Sequence, residues 1–415
     1  MWAAMVTAIV VVAGARAAAG ETHRWTVAAY LSGDGDLRAT AERYMATVAA
    51  GANQPGWAAA VQIDKTGEDG QCGAGRHAWT WSEGQRRLRS DSVPGSEAGV
   101  NMGARETLAG FLQWVRQQAP AERYALIVMG HGTGLTGWSG DVTRGLTSSG
   151  VALDTSAGGD CLSVSELAGG IEDGFERPRE PGLDALFLDC CYGSSLEVAY
   201  ELRGGVRYMT AVPGELPNPG LPWQEILSRA GRQEAAGGRE LVRICLQVVA
   251  EHNRGQDRPA SVTGIDLGAL GRASERIGSF VRLAETCMPE MAPAITLAHS
   301  QAATWGSQRE LCDAAGLLAG IAEHAGERGV ALAAQAAAEA VQASVIGRVG
   351  ELSDRCRGMG VFFPGKLTDL PDGYDGEAYS FTGASGWRSF LGSYLGRLHE
   401  LLQRTAQYEE TEGGV

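Results

Sequence analysis

A thiol and an imidazole each follow an apolar run of the chain, and together they could form a nucleophilic pair. Cys191 lies shortly after the run 185–188, and His131 lies shortly after the run 125–129. Such runs without turn residues are typical of strands that are buried on both faces. The carboxyl ends of parallel strands meet at one edge of a sheet, where α/β proteins carry their chemistry. We therefore expect Cys191 and His131 to lie at one sheet edge as nucleophile and partner.

The segment after Cys191 predicts a turn and then a helix. Ser194 or Ser195 is the candidate N-cap, and an apolar pattern of helical spacing runs over 196–202. Backbone N–H groups at the start of a helix favour a nearby anion. The sequence therefore predicts a lowered pKa for the Cys191 thiol.

Three neighbours of this pair have predicted positions. Asp189 precedes Cys191 by two residues, so strand alternation places their side chains on one face and that of Cys190 on the other. Cys190 is therefore predicted to be a core residue. Asp189 could orient His131, cap a helix or contact a cationic substrate group. Gly132 has no side chain to obstruct a substrate, and its N–H, with that of Cys191, is the candidate oxyanion hole.

The two motifs resemble those of the clostripain family of cysteine endopeptidases, which have a caspase-like sheet with the His before the Cys. The likeness lies in His-Gly-Thr-Gly at 131–134 and in Asp-Cys-Cys-Tyr-Gly-Ser-Ser-Leu-Glu-Val-Ala-Tyr at 189–200. A looser likeness extends over most of 25–395. The resemblance implies an α/β fold with a mostly parallel sheet flanked by helices, followed by a mainly helical C-terminal subdomain. The serine that the family usually has near Val212 is absent.

The resemblance also implies an activity, which is cleavage of peptides or proteins after Arg or Lys. Cys191 would attack the carbonyl carbon, His131 would protonate the leaving amine, and Asp189 would bind the substrate cation. No cofactor and no metal site are expected, and a calcium requirement stays open. The alternatives are a caspase-like peptidase with another preference before the scissile bond, and a non-catalytic secreted binding module.

A predicted polar loop over 135–162 separates the two motifs. Loops of this length are usually functional or disordered. Arg144 is the only basic residue between His131 and Arg177. Members of the clostripain family resemble zymogens that cut themselves after a basic residue in this region, so self-cleavage is expected after Arg144.

Composition limits the classes of function. The chain of 415 residues has 44% hydrophobic and 20% charged residues, which is typical of a globular protein. Its net charge of −14 disfavours a nucleic-acid partner. The acidic surface suits cationic substrates or simply solubility. The eight cysteines form no Cys-x-x-Cys pair, so a zinc ribbon is not expected, and their scatter favours buried thiols.

The chain divides into four predicted parts. Residues 1–20 are an apolar run that ends in an Ala-x-Ala site and resemble a signal peptide, so the protein is expected to be secreted or periplasmic. The run is too short for a stable membrane span. The catalytic domain is expected over 21–257, a mainly helical region over 258–406 and a disordered acidic tail over 407–415.

Local patterns predict the remaining elements. Ser163 and Glu166 form a capping box that starts a helix. Asp34 and Asp36 lack the glutamate of a calcium loop and predict a turn with a helix cap. Strands are expected at 25–31, 57–64, 206–212, 261–267 and 358–364, and helices at 37–48, 101–117, 240–251, 267–283, 314–345 and 387–402.

Overall fold

The computed structural model describes most of the chain. The described residues are 22–65, 73–94, 100–134, 150–175, 182–233, 236–306, 309–350, 356–364, 370 and 373–412. The predicted signal peptide at 1–20 and the predicted cleavage site at Arg144 lie outside these ranges.

A nine-stranded mixed sheet forms the centre of the fold, with two small sheets beside it. The strands are β1 (His23–Ser32), β2 (Trp57–Asp64), β3 (Gly75–Ser82), β4 (Gln85–Asp91), β5 (Ala121–Met129), β6 (Val151–Asp154), β7 (Asp160–Leu162), β8 (Leu183–Asp189), β9 (Val206–Ala211), β10 (Val262–Asp266), β11 (Thr304–Trp305), β12 (Leu311–Asp313), β13 (Val345–Val349) and β14 (Gly360–Phe362).

The strand order in the large sheet is β13-β10-β9-β8-β5-β1-β2-β3-β4. The five central strands, from β9 to β2, are parallel to one another. Two strands at each edge are antiparallel. The central strands are buried on both faces, which explains why their sequences are continuous apolar runs.

Helices cover both faces of the sheet. They are α1 (Arg38–Gly51), α2 (Arg105–Gln118), α3 (Val164–Phe175), α4 (Leu196–Leu202), α5 (Trp223–Gly231), α6 (Gly238–His252), α7 (Leu270–Thr286), α8 (Met288–Gln301), α9 (Ala314–His324), α10 (Arg328–Ser344), α11 (Ser380–Ser385) and α12 (Trp387–Glu412). Alternate residues of β1 point into two cores, because Trp25 and Val27 pack with α1, α5 and α6, whereas Ala28 and Tyr30 pack with α2 and α3. The C-terminal helices extend the second core. The α/β class with a mainly helical C-terminal part is therefore confirmed.

The C-terminal part also contributes to the large sheet. Strands β10 and β13 come from beyond residue 257 and extend the sheet next to β9. Two contacts also join the C-terminal part to the segment after Cys191. Ser195 forms an isolated β-bridge with Gly360, and the Glu197 carboxylate accepts a hydrogen bond from the Phe362 N–H at 2.8 Å. The proposed boundary at residue 257 therefore does not coincide with a break in the hydrogen-bonded sheet.

Four local features differ from the sequence predictions. The stretch 65–95, for which no strand was predicted, holds the hairpin of β3 and β4, whose two turn residues Glu83 and Gly84 both have positive φ. Part of the long loop 135–162 forms β6 and β7. The predicted helix 314–345 is two helices, because Glu327 caps the second by accepting from the Val330 N–H. Helix α12 continues over 407–412, where we predicted disorder, because the stretch 397–412 contains neither glycine nor proline.

Candidate active site

The register of two neighbouring strands brings His131 and Cys191 to one sheet edge. β5 and β8 are parallel, and Met129 lies opposite Asp189 at their carboxyl ends. His131 and Cys191 each lie two residues beyond that pair. Both side chains line one cavity of about 200 Å³, and Asp189 lines it too. The predicted juxtaposition is therefore present, and the cavity lies beside both reactive groups.

The turn after Cys191 is fixed by the segment that leaves β9. The N–H of Tyr192 donates to the Gly214 carbonyl at 2.8 Å, and the N–H of Ser194 donates to the Val212 carbonyl at 3.0 Å. Tyr192 has a φ of 59°, a strained conformation for a residue with a side chain. Of the two serines that could cap α4, the structure uses Ser195, which accepts from the Val198 N–H.

The Cys191 thiol differs from its predicted electrostatics. Burial raises its pKa; the N–H of Leu216, which donates to Sγ at 3.3 Å, lowers the pKa, and the carboxylate of Glu215 raises it. The net shift is upward, so the predicted lowered pKa is wrong for this state. Helix α4 begins only at Leu196, and an effect confined to its first turn does not offset the burial of the thiol.

His131 has a partner that the sequence analysis missed. Its Nε2 lies 2.9 Å from Oδ1 of Asp36, and the two side chains are 39% and 71% exposed. Asp36 also lines the cavity. Asp34, two residues before Asp36, was predicted to cap a helix. Its carboxylate instead accepts a hydrogen bond from the Ser156 N–H at 3.0 Å.

Gly132 is in close contact with the Cys191 turn. A Cβ on Gly132 would lie 2.4 Å from the carbonyl oxygen of Cys191 and 3.1 Å from Cβ of Cys190. The missing side chain therefore makes room for the protein's own backbone, whereas the sequence interpretation assigned that space to a substrate. The contact also brings the backbones of the two candidate oxyanion residues together.

Asp189 is fully buried, and only one of its oxygens is satisfied. Oδ2 accepts from the Tyr44 hydroxyl at 2.9 Å and from Nε1 of Trp223 at 2.7 Å. Oδ1 has no hydrogen-bond partner among the described residues. Burial raises the pKa of Asp189 to about 7, although both donors act to lower it. A buried carboxylate oxygen without a donor is costly unless a ligand supplies one.

Tyr44 and Trp223 also escaped the sequence analysis. Tyr44 lies in the middle of α1, and its hydroxyl accepts from the Leu221 N–H at 2.8 Å. Trp223 opens α5 and packs edge to face with Phe187 at 5.0 Å between ring centroids. Both read as apolar core residues in sequence, and nothing near them in the chain indicates a carboxylate partner.

Two other predictions near the site are confirmed. Cys190 is 1% exposed and belongs to the core, as strand alternation indicated. Ser163 and Glu166 form the predicted capping box at α3, with Oγ accepting from the Glu166 N–H at 3.2 Å and the Glu166 carboxylate accepting from the Ser163 N–H at 3.0 Å.

The sequence model of the clostripain family (Peptidase_C11) matches residues 79–295, slightly more than half of the chain. The chain belongs to the clostripain family. Clostripain of Hathewaya histolytica is 28% identical over 177 residues, which are 41% of this chain and 31% of that protein. The chain therefore spans less than a third of the length of this relative.

Solved structures of the clostripain family share the fold. A secreted C11 cysteine protease from Bacteroides thetaiotaomicron, solved with an irreversible peptide inhibitor, has a TM-score of 0.65 at 16% identity and covers 88% of this chain and 99% of its own. An inactive zymogen C11 protease from Parabacteroides distasonis has a TM-score of 0.59 at 17% identity and covers 90% and 98%. At these identities the likeness shows the architecture.

Two further properties concern only the part of the chain that the structure describes. There, no three His, Cys, Asp or Glu side chains are arranged to hold a metal ion. None of the helices there is long and apolar enough to cross a membrane.

Proposed function

We propose that the chain is a cysteine endopeptidase that cleaves peptide bonds after Arg or Lys. The observation that carries the proposal is the buried Asp189 carboxylate, which lines the same cavity as Cys191 and His131 and keeps one oxygen without a hydrogen-bond donor. A guanidinium or ammonium group in the cavity would supply donors and a charge to that oxygen. Membership of the clostripain family supports the reaction class.

The chemistry follows from the positions of the two reactive groups. The Cys191 thiol gives its proton to His131, and the thiolate attacks the scissile carbonyl carbon to form an acyl-enzyme. The resulting imidazolium protonates the leaving amine as the C–N bond breaks. Water then hydrolyses the thioester and restores the thiol.

The backbone N–H groups of Gly132 and Cys191 are the proposed donors to the oxyanion. Their segments are in contact, because a Cβ on Gly132 would lie 3.1 Å from the Cys191 nitrogen. Two donors held by a fixed turn stabilise the negative charge of the tetrahedral intermediate without reorganising. The turn is fixed by the hydrogen bonds that Tyr192 and Ser194 donate to the segment after β9.

Asp189 has the features expected of the residue that selects a cation. Its carboxylate is shielded from water, and a neutral partner would not compensate for the lost hydration of its charge. The hydroxyl of Tyr44 and the indole of Trp223 hold Oδ2 and so fix the carboxylate plane. A fixed and desolvated carboxylate discriminates strongly between cationic and neutral side chains of similar size.

The test is a panel of four fluorogenic peptides that differ only in the residue before the scissile bond, which is Arg, Lys, Asn or Asp. Wild-type protein is expected to release the fluorophore from the Arg and Lys peptides at rates at least about a hundredfold above those for the other two. Activity on Asn or Asp instead would favour a caspase-like peptidase of different preference. No cleavage together with a thiol at position 191 that iodoacetamide does not label would favour the non-catalytic binding module.

Cation binding in the cavity is expected to weaken with falling pH. Burial raises the pKa of Asp189 to about 7, and a bound cation favours the ionised carboxylate. Below that pH a proton must leave before the cation binds, so the inhibition constant of benzamidine should rise about tenfold per pH unit. We expect this from inhibition measured between pH 5 and 8.

The uncharged analogue benzamide is the control for general effects of pH. Asp36, His131 and Cys191 also face the cavity, so the same series on Asp189→Asn separates the effect of Asp189 from theirs. A benzamidine constant that does not change between pH 5 and 8 would contradict the assignment.

We also propose that the chain is exported and then cuts itself after Arg144. Residues 1–20 resemble a signal peptide, and Arg144 matches the proposed specificity in a polar segment. N-terminal sequencing of the active protein is expected to find one start near residue 21 and a second at residue 145. Arg144→Gln should lose the second start, whereas Arg177→Gln should keep it. An active protein with an uncut 135–162 segment would rule out self-cleavage as an activation step.

A further inference from the structure

We propose that Asp36 is a positioning residue for His131 and that it holds Nε2, so that Nδ1 is the nitrogen that protonates the leaving amine. This inference rests on the proposed function, because it concerns the proton transfer of that reaction. Its basis is the distance of 2.9 Å between Asp36 Oδ1 and His131 Nε2 at the rim of the cavity.

The strand order carries Asp36 to this place. β1 lies next to β5, with Leu31 opposite Met129, so the segments that follow the two strands leave the same edge of the sheet. Asp36 belongs to a short 3₁₀ turn at Gly35–Leu37 directly after β1, and His131 follows β5. Residues that are 95 positions apart in the sequence thereby become neighbours.

The turn that carries Asp36 is held on both sides. Gly33 donates its N–H to the Asp64 carbonyl at 2.8 Å, and a Cβ on Gly33 would lie 2.4 Å from Cβ of Ala41. The buried carboxylate of Asp34 accepts from the Ser156 N–H at 3.0 Å. Asp36 is thus presented by a fixed backbone, which a positioning role requires because an unrestrained carboxylate could not orient a ring.

The exposure of the pair indicates that its role is not stability. Both side chains are in contact with solvent, at 39% and 71% exposed, and exposed ion pairs contribute little to the free energy of unfolding. A carboxylate that accepts from one ring nitrogen of a histidine fixes the tautomer and the orientation of the ring. The effect of the contact should therefore appear in proton transfer.

The proton transfer balances as follows. The Cys191 proton moves to Nδ1 of His131, which becomes imidazolium with both nitrogens protonated, and Asp36 accepts from Nε2–H. When the sulfur–carbon bond has formed and the C–N bond breaks, Nδ1–H passes its proton to the leaving nitrogen. The neutral ring that remains keeps its proton on Nε2, where Asp36 stabilises it.

Two matched substrates separate this role from others. An Arg peptide p-nitroanilide has a leaving amine that must be protonated, whereas the corresponding thiobenzyl ester releases a thiolate that needs no proton. For both substrates kcat/KM reports formation of the acyl-enzyme. Asp36→Ala is expected to lower kcat/KM for the anilide by about 10- to 100-fold with its KM unchanged. The loss for the thioester should be clearly smaller, because the thioester needs His131 only to accept the Cys191 proton, whereas the anilide also needs it to protonate the leaving amine.

Two variants control the comparison. Asp36→Asn keeps an oxygen acceptor for Nε2–H and is expected to restore part of the anilide rate. Glu42→Gln removes a carboxylate in α1 that pairs with Lys65 at 2.9 Å and should leave both rates unchanged.

The other outcomes contradict the inference. Equal losses on both substrates would show that Asp36 does not act on protonation of the leaving amine and would overturn the inference, and a raised KM on both would indicate direct contact with the substrate cation. An unchanged anilide rate would also overturn it. Wild-type protein that cleaves neither Arg substrate would contradict the proposed function itself and remove the basis of this inference with it, so the two failures are distinguishable.

Discussion

Cys191→Ala is expected to abolish cleavage of the Arg and Lys peptides, with a loss of kcat on the order of 10⁶-fold. The variant removes the sulfur that forms the acyl-enzyme, and the adjacent thiol cannot replace it, since Cys190 is 1% exposed and packs in the core. Cys190→Ala is expected to retain at least about half of the activity and to lower the free energy of unfolding by about 1 kcal/mol, because it empties a small buried volume. Both results come from fluorogenic peptide assays together with urea denaturation.

The pair of adjacent cysteines makes this an internally controlled comparison. Circular dichroism should show that both variants are folded, so that a lost rate reports chemistry. An inactive Cys190→Ala beside an active Cys191→Ala would mean that the nucleophile has been assigned one residue too late, and the strand alternation used for Asp189 would then be wrong as well.

Asp189→Asn is expected to lower kcat/KM for Arg and Lys peptides by roughly 10²- to 10⁴-fold, which corresponds to the 3–5 kcal/mol typical of breaking a buried charge pair. Asparagine keeps the shape and can still accept from Tyr44 and Trp223, so the cavity should survive. The negative charge facing the bound cation is lost, which leaves the guanidinium or ammonium group desolvated without a counter-ion. The measurement is the four-peptide panel.

Stability supplies an independent readout for the same variant. The folded-state pKa of Asp189, about 7, exceeds that of an unfolded carboxyl group, so the folded protein binds more protons between those two values. Its free energy of unfolding should therefore fall as the pH rises toward 8, and Asp189→Asn should be more stable than wild type at pH 8. Asp184→Asn, at the other end of β8, should not change the specificity. An Asp189→Asn variant that keeps its preference for Arg and Lys would refute the assigned role of Asp189.

The parts of the site that sequence could predict are those defined by local pattern. Apolar runs 125–129 and 185–188 identified two buried strands, and parallel strands bring their carboxyl ends to one edge whatever the rest of the fold does. Alternation along β8 then separated Cys190 from Cys191 correctly. The bounds of β2, Trp57–Asp64, also followed from its uninterrupted apolar start.

The missed parts depend on residues that are distant along the chain. The donors to Asp189 come from positions 145 and 34 residues away, and no spacing rule connects a tyrosine in a helix to that carboxylate. The pKa of Cys191 was predicted in the wrong direction because burial of the thiol raises it, and no local sequence pattern indicates that burial. The hairpin of β3 and β4 was missed because β4 has a single apolar residue, Leu88, which is exposed.

The hydrogen bonds between the turn after Cys191 and the C-terminal part limit which fragments and chimeras of the protein can fold. Ser194 donates its hydroxyl to the Gly358 carbonyl at 2.8 Å, and Glu197 accepts from the Tyr374 hydroxyl at 2.8 Å. The residues that anchor the turn after Cys191 thus lie more than 150 positions further along the chain. A fragment that stops at residue 257 would lack them, so the part before residue 257 is not an independent module, and chimeras should exchange the two parts together.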